Sequence, residues 1–178
     1  MDWSTASSQE LRFSRLLQLV DDSDDASIID FGCGYGALLD YFRGSRRRIT
    51  YSGFDISEAM IGAALSRHGA HASFTADVSQ LEPADYVVAS GIFNVKLGHA
   101  PDAWWDHVLQ TLALMRSLCR RGFAFNMLTS HSDVDKRRED LFYADPTRVF
   151  DICLQRFSRR VALLHDYPLY EFTIIVRV

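Results

Sequence analysis

The chain has 178 residues, 48% of them hydrophobic and 12% aromatic, enough for one well-filled core and too few for two ordinary domains, so a single domain over 1–178 is expected. A formal net charge of −4 argues against a general nucleic-acid binder, which would carry a basic face. No apolar run reaches bilayer length, and the start, MDWSTASSQE, lacks the positive and apolar regions of a signal peptide, so no membrane partner and a cytoplasmic location are expected.

Residues 1–8 are polar and expected to fray. From Gln9, Leu11, Phe13, Leu16, Leu17 and Val20 repeat on one helical face, and the acidic run Asp21 to Asp25 ends that helix. Arg15 reads as a salt-bridging residue; Arg12 stands between that role and capture of a ligand carboxylate. Ile28, Ile29 and Phe31 form a short buried-strand signal, Gly32, Gly34 and Gly36 turn the chain, and Leu38, Leu39 and Phe42 follow at helical spacing. This strand, glycine turn and helix should surround an open hole with unpaired amide N–H groups, where an adenine nucleotide or nucleoside docks. Cys33 fills the turn as a small residue. The three cysteines, Cys33, Cys119 and Cys153, have no metal-ligand spacing and suit a reducing compartment.

Residues 49–55 predict a second strand and Ser57 the cap of a helix whose buried stripe includes Met60, Ile61, Ala64 and Leu65. Two strand–helix units in succession imply a parallel sheet. A short strand over 72–75 leaves little room for a helix before Pro83, and 86–89 is the next buried strand. Pro101 opens a helix through Trp104, Val108, Leu112, Met115 and Leu118, with Gly122 as its stop. A strand over 123–128 precedes a long polar segment, 129–144, expected as a lid or substrate loop. A helix over 146–157 and two strands, 160–165 and 170–178, close the chain. The basic clusters Arg46 to Arg48 and Lys136 to Arg138 read as solvated loop or helix ends.

Two templates fit the glycine turn. Gly32, Gly34 and Ala37 satisfy the dinucleotide pattern, with Asp55 at the distance of a ribose-gripping acid. Asp30 opposes that reading, because a carboxylate two residues before Gly32 would repel a diphosphate, whereas S-adenosylmethionine carries a cationic sulfonium and no phosphate.

With DFGCGYG at 30–36 and Asp55 after the second strand, the chain resembles the class I S-adenosylmethionine-dependent methyltransferases. FTADVS at 74–79 and DYVVASGIFNV at 85–95 are similar to that family's segments after the third and fourth strands, and FAFNMLTS, LFYADP and HDYPLYEFTI resemble the tail of small stand-alone bacterial members. The resemblance implies an α/β fold: a Rossmann-like three-layer sandwich with a seven-stranded, mostly parallel sheet ending in a C-terminal antiparallel hairpin. It implies S-adenosyl-L-methionine as cofactor, held by Asp30, Gly32, Cys33, Gly34, Asp55 at the ribose, Ile56 and Met60, Asp77 and Val78 near the adenine, Ser90 and Gly91 on the methionine side, and Arg12. Asp77 is equally an ordinary turn residue, and Asp55 a helix cap. His165 is the first choice for a base, His131 the second, and Tyr167 lies in the same HDYP turn. No metal is expected, since no trio matches the catechol-type metal site. The acceptor is expected to be a small or medium organic molecule methylated on oxygen or nitrogen, with no nucleic acid, because the Asn-Pro-Pro-Tyr element of base-modifying enzymes is replaced by Ser90, Gly91, Ile92 and Phe93. Three competitors remain, an NAD-binding oxidoreductase, a non-catalytic S-adenosylmethionine-binding protein, and a nucleic-acid methyltransferase, which the acidic charge opposes. Oligomeric state is left open.

Overall fold

The structure, a computed structural model, describes residues 6–21, 25–43, 48–69 and 72–178. Asp22, Ser23, Asp24, Arg46 and Arg47, parts of the acidic run and of the first basic cluster, lie outside the described residues, as do residues 1–5.

Helix α1 (Ala6–Leu16) precedes β1 (Ala26–Phe31), α2 (Ala37–Arg43), β2 (Ile49–Phe54) and α3 (Glu58–His68). Strands β3 (Ser73–Thr75) and β4 (Ala84–Ala89) follow, then α4 (Pro101–Leu118), β5 (Cys119–Thr129), β6 (Tyr143–Ala144), α5 (Pro146–Arg156), β7 (Arg160–Leu164) and β8 (Glu171–Arg177). The main path through the sheet runs β3-β2-β1-β4-β5-β8-β7, with β6 attached to β5. β8 lies antiparallel between β5 and β7, and the other pairings are parallel. The closing hairpin therefore inserts its second strand beside β5 and leaves its first at the edge.

Alternation along the strands builds two cores. Ile29, Phe31, Val87, Phe123, Phe125 and Phe172 face α4 and α5 through Val108, Leu112, Met115, Val149 and Cys153. Ile28, Tyr86, Val88, Ala124 and Ile175 face α1 and α2 through Phe13, Leu16, Leu38 and Phe42. Three layers result, as period-two burial on a central sheet requires. Phe125 is fully buried, so truncating it to Ala would cost roughly 3–5 kcal/mol.

Several boundaries differ from the sequence reading. Ala6 to Ser8 are helical rather than frayed; burial of Phe13 and Leu16 anchors the middle of α1 and lets the first turn propagate from it. Gly122 does not stop α4. The helix ends at Leu118 because the ladder captures the chain at Cys119 opposite Ala84, and Gly122 lies inside β5. A Cβ there would stand 2.5 Å from the carbonyl oxygen of Val176, so close strand approach explains the glycine.

The 129–144 segment is tied down at several points. β6 pairs with Leu128 and Thr129, Ser130 donates its N–H to Ala144 O at 2.8 Å, and a short 3-10 turn spans Val134–Lys136. Phe142 N–H reaches Asn94 O at 2.9 Å, and Lys96 and Leu97 both donate to Asp140 O, so this segment and the loop after β4 support each other. In the second basic cluster, Arg138 pairs with Asp140 and Lys136 with Asp135. Among the described residues, no helix is long and apolar enough to cross a membrane.

Candidate active site

The parallel strands β1, β2, β4 and β5 bring their C-terminal ends to one edge, where open α/β sheets bind ligands. Residues 32–36 make the whole turn from β1 into α2. Gly32 holds φ +83°, and a Cβ on it would stand 2.2 Å from Cγ2 of Ile92, so both conformation and space exclude a side chain.

The amides of Gly32, Cys33, Gly34 and Gly36 are bonded within the chain rather than left unpaired as expected. Gly32 and Cys33 donate to the carbonyl of Phe54 at 2.7 and 2.9 Å, Gly36 donates to Cys33 O at 3.0 Å, and Gly34 donates to Oδ2 of Asp55 at 2.8 Å. The end of β2 projects its carbonyl and carboxylate into the turn and uses those donors. Asp55 accepts at its other oxygen from Ser57 N–H at 2.9 Å, so it braces both the glycine turn and the start of α3. Ser57 caps that helix, as its sequence position suggests.

Asp30 is 3% exposed and accepts from the hydroxyl of Tyr51 at 2.6 Å. Burial pushes its carboxyl up to about 7, the Tyr51 bond opposes this, and the nearby Asp55 charge adds to it. Burial, then the Asp30 and Asp55 charges, push the Cys33 thiol upward. Cys33 is an inert, space-filling residue at this position.

A groove of about 470 Å³ brings Gly32, Asp55, Ile56 and Val78 together with Phe31, Phe54 and Ile92. Ile56, at 87% exposure, stands open to it. Met60 is exposed on α3 and does not line this groove. Asp77 is likewise outside it: its carboxylate accepts from Ser79 N–H at 2.9 Å and from Ser79 Oγ at 2.7 Å, capping the 3-10 turn Val78–Gln80, and these bonds hold its pKa below the ordinary value.

The far wall of the groove is Trp104, His107, Thr111 and Leu114 of α4, residues not singled out together by the sequence reading. Their spacing, i, i+3, i+7 and i+10, is one helical face. A signal existed, because the link between β3 and β4 contains only a 3-10 turn and so provides no helix to cover that face.

At the end of β4, Gly91 (φ +76°) donates its N–H to Oδ1 of Asn126 at 2.8 Å. Nδ2 of Asn126 donates to Oε2 of Glu171 at 2.5 Å, and Glu171 also holds Arg12, with N···O distances of 2.8 to 3.0 Å. Arg12 is thus in a buried salt bridge with a carboxylate of its own chain, the first of its two sequence-based roles. Asn94, fully buried, accepts at Oδ1 from Leu128 N–H at 3.0 Å.

The three candidate proton-transfer groups are separated from the glycine turn. His165 follows β7, and β8, β5 and β4 stand between that strand and β1, which the glycine turn follows, four spacings of about 4.8 Å, or roughly 19 Å. His131 follows β5, and its ring centroid is 6.0 Å from that of His165. Both are exposed. Partial burial, then the His131 charge, lower the pKa of His165. Tyr167 does not join them: it is 6% exposed, its hydroxyl lies 2.9 Å from Thr173 Oγ1, and burial raises its pKa. A sealed, hydrogen-bonded phenol is a poor general base.

Residues 29–122 match a family model described as "Methyltransferase domain". The Mycobacterium tuberculosis protein named "Putative methyltransferase Rv1506c" is 50% identical over 163 residues, which are 90% of this chain and 98% of that protein. The N-methyltransferase NodS from Bradyrhizobium japonicum WM9, solved with S-adenosyl-L-homocysteine, has a TM-score of 0.67 at 18% identity, covering 98% of this chain and 89% of that one. Human N-acetylserotonin methyltransferase, solved with S-adenosylmethionine, has a TM-score of 0.63 at 16% identity, covering 96% and 54%.

Proposed function

Because the chain belongs to the methyltransferase domain family and takes S-adenosylmethionine as its methyl donor, we propose that it methylates oxygen or nitrogen of a small or medium organic acceptor. The observation that carries the donor side is the internally bonded glycine turn. The amides of Gly32, Cys33, Gly34 and Gly36 have partners within the chain, and Asp30 and Asp55 add carboxylates beside them. A diphosphate finds few donors there and is repelled by Asp55 and, as pH rises through about 7, by Asp30, while a sulfonium nucleoside without phosphate is compatible with both.

Asp55 is proposed to hold the ribose with the second lone pairs of its two bonded oxygens. Ile56 and Val78 would flank the adenine within the apolar groove, and Ser90 and Gly91 the methionine side. When bound, S-adenosylmethionine supplies a methyl group already activated on sulfur. The chain's own task is then to align the acceptor and exclude water. Trp104 on the groove wall and the interlocked residues 94–97 and 140–142 support a small or medium acceptor, whereas Phe142 and Tyr143 line a separate pocket with Trp105. For an acceptor that must lose a proton, His165 is the proposed base and His131 its alternate, and such an acceptor has to extend from the groove across the ends of β5 and β8 to meet them; a lowered pKa keeps His165 neutral near pH 7.

The experiment is transfer from S-adenosylmethionine labelled in its methyl group into a size-fractionated cell extract. Label in the small-molecule fraction is the expected outcome. Label confined to nucleic acid or protein would overturn the acceptor class.

A further inference from the structure

We propose that Asn126 and Glu171 are positioning residues that hold the Gly91 turn in its cofactor-binding shape, an inference that rests on the S-adenosylmethionine reading above. The hydrogen-bonded ladder between β4 and β5 ends at Ala89 and Phe125. Beyond it the side chain of Asn126 takes over from the backbone, accepting the Gly91 N–H at 2.8 Å. Gly91 sits at φ +76°, a conformation that cannot continue the strand, so this bond fixes where the chain leaves the sheet.

An amide side chain fits such a place in either of two orientations, and only one presents oxygen to Gly91. Glu171 selects it. Its carboxylate, 2% exposed and paired with Arg12, accepts but does not donate, so it faces Nδ2 of Asn126 at 2.5 Å and leaves Oδ1 for Gly91. Arg12, 7% exposed, in turn holds the carboxylate through Nε and a terminal nitrogen. A buried ion pair contributes little net stability compared with apolar residues of the same size. Its worth here is orientation: one carboxylate, held from α1, sets an amide that sets a turn. Asn94 braces the same loop in the reverse direction, its Oδ1 accepting from Leu128 N–H.

The test is an exchange of the two side-chain types, read by calorimetric binding of S-adenosylhomocysteine in mildly alkaline buffer. Asn126→Asp places a second carboxylate against Glu171, and Glu171→Gln removes the charge that orients the amide; each should weaken binding about tenfold. The double variant keeps one carboxylate and one guanidinium. In it the carboxylate introduced by Asn126→Asp accepts from Gly91 N–H and from the amide introduced by Glu171→Gln, whose oxygen accepts from Arg12. Its affinity should return to within about threefold of the wild type. Wild-type affinity in Asn126→Asp, or a folded double variant that binds no better than the single ones, overturns the proposal. Amide hydrogen exchange of Gly91 in the unaltered protein gives a result independent of variant folding: slow exchange is expected, and exchange at the rate of an open loop overturns it. Failure of the unaltered protein to bind S-adenosylhomocysteine would instead overturn the cofactor reading, leaving the Gly91 exchange result to decide the bond itself.

Discussion

The hydroxyl of Tyr51 donates to Oδ2 of Asp30 across 2.6 Å, with the two residues 4% and 3% exposed, directly beneath the glycine turn. Burial, against the opposing Tyr51 bond, makes Asp30 a titrating group near neutrality rather than a permanent anion, its carboxyl standing at about 7 against an ordinary 3.8. The folded state therefore holds this proton more tightly than the unfolded state does. The stability that Asp30 contributes is full below its unfolded value and is lost as pH rises through about 7. Asp30→Asn should flatten that part of the stability profile, measured as midpoint against pH. An unchanged slope would remove Asp30 from the titration.

The same residue should separate donor from product. Ionised Asp30 favours a cationic sulfonium over the neutral sulfur of S-adenosylhomocysteine, so the ratio of the two affinities should shift toward S-adenosylmethionine as pH rises through about 7. Tyr51→Phe removes the bond that opposes the upward shift, and the transition should move to higher pH. A ratio independent of pH in both proteins would contradict this.

Gly32→Ala should be costly in two ways. A side chain at φ +83° is strained, and its Cβ would stand 2.2 Å from Ile92. A loss of about 2 kcal/mol, or roughly 4–8 °C in Tm for a chain of this size, is expected. Ile92→Ala in the same background should recover only part of it, because the backbone strain remains. Full recovery would assign the whole cost to the clash.

Asp55→Ala removes the acceptor of the Gly34 and Ser57 amides together with the proposed ribose contact. S-adenosylhomocysteine affinity should fall at least about tenfold. Unchanged affinity by calorimetry would leave Asp55 as a helix-start residue alone.

His165→Ala should lower turnover more than cofactor affinity. The acid limb of the rate profile should lie below the ordinary histidine range, since burial and His131 lower the pKa of His165. Full activity in the variant would remove His165 from the mechanism, and residual activity abolished by His131→Ala would transfer the role.

Much of this was legible in the residues because it is periodic or local. The short apolar runs at Ile28 to Phe31 and Tyr86 to Ala89 mark buried strands, Ser57 marks a cap, and the glycine spacing marks the turn. Long-range partnerships left no such trace. Arg12 meets a carboxylate 159 positions away, and Asn126 meets Gly91 35 positions away; no local pattern distinguishes these residues from solvated polar ones. Gly122 misleads for a related reason, since a glycine demanded by a neighbouring strand looks the same in sequence as one that ends a helix. Adjacency in sequence groups Tyr167 with His165, yet its side chain turns inward to Thr173 while the histidine stays exposed. The groove wall on α4 could have been inferred from the short β3–β4 link, which leaves no helix to cover that face, but doing so means combining two segments distant in sequence.

Thermal unfolding of the purified chain with S-adenosylmethionine, S-adenosylhomocysteine and NAD in parallel tests the cofactor assignment most directly. A ligand at about a hundred times its Kd stabilises by roughly 2.7 kcal/mol, which corresponds to about 5–10 °C here. The account predicts that shift with the two sulfur nucleosides and none with NAD. A shift with NAD alone would mean that the bonded turn and the Asp30 and Asp55 carboxylates admit a diphosphate after all.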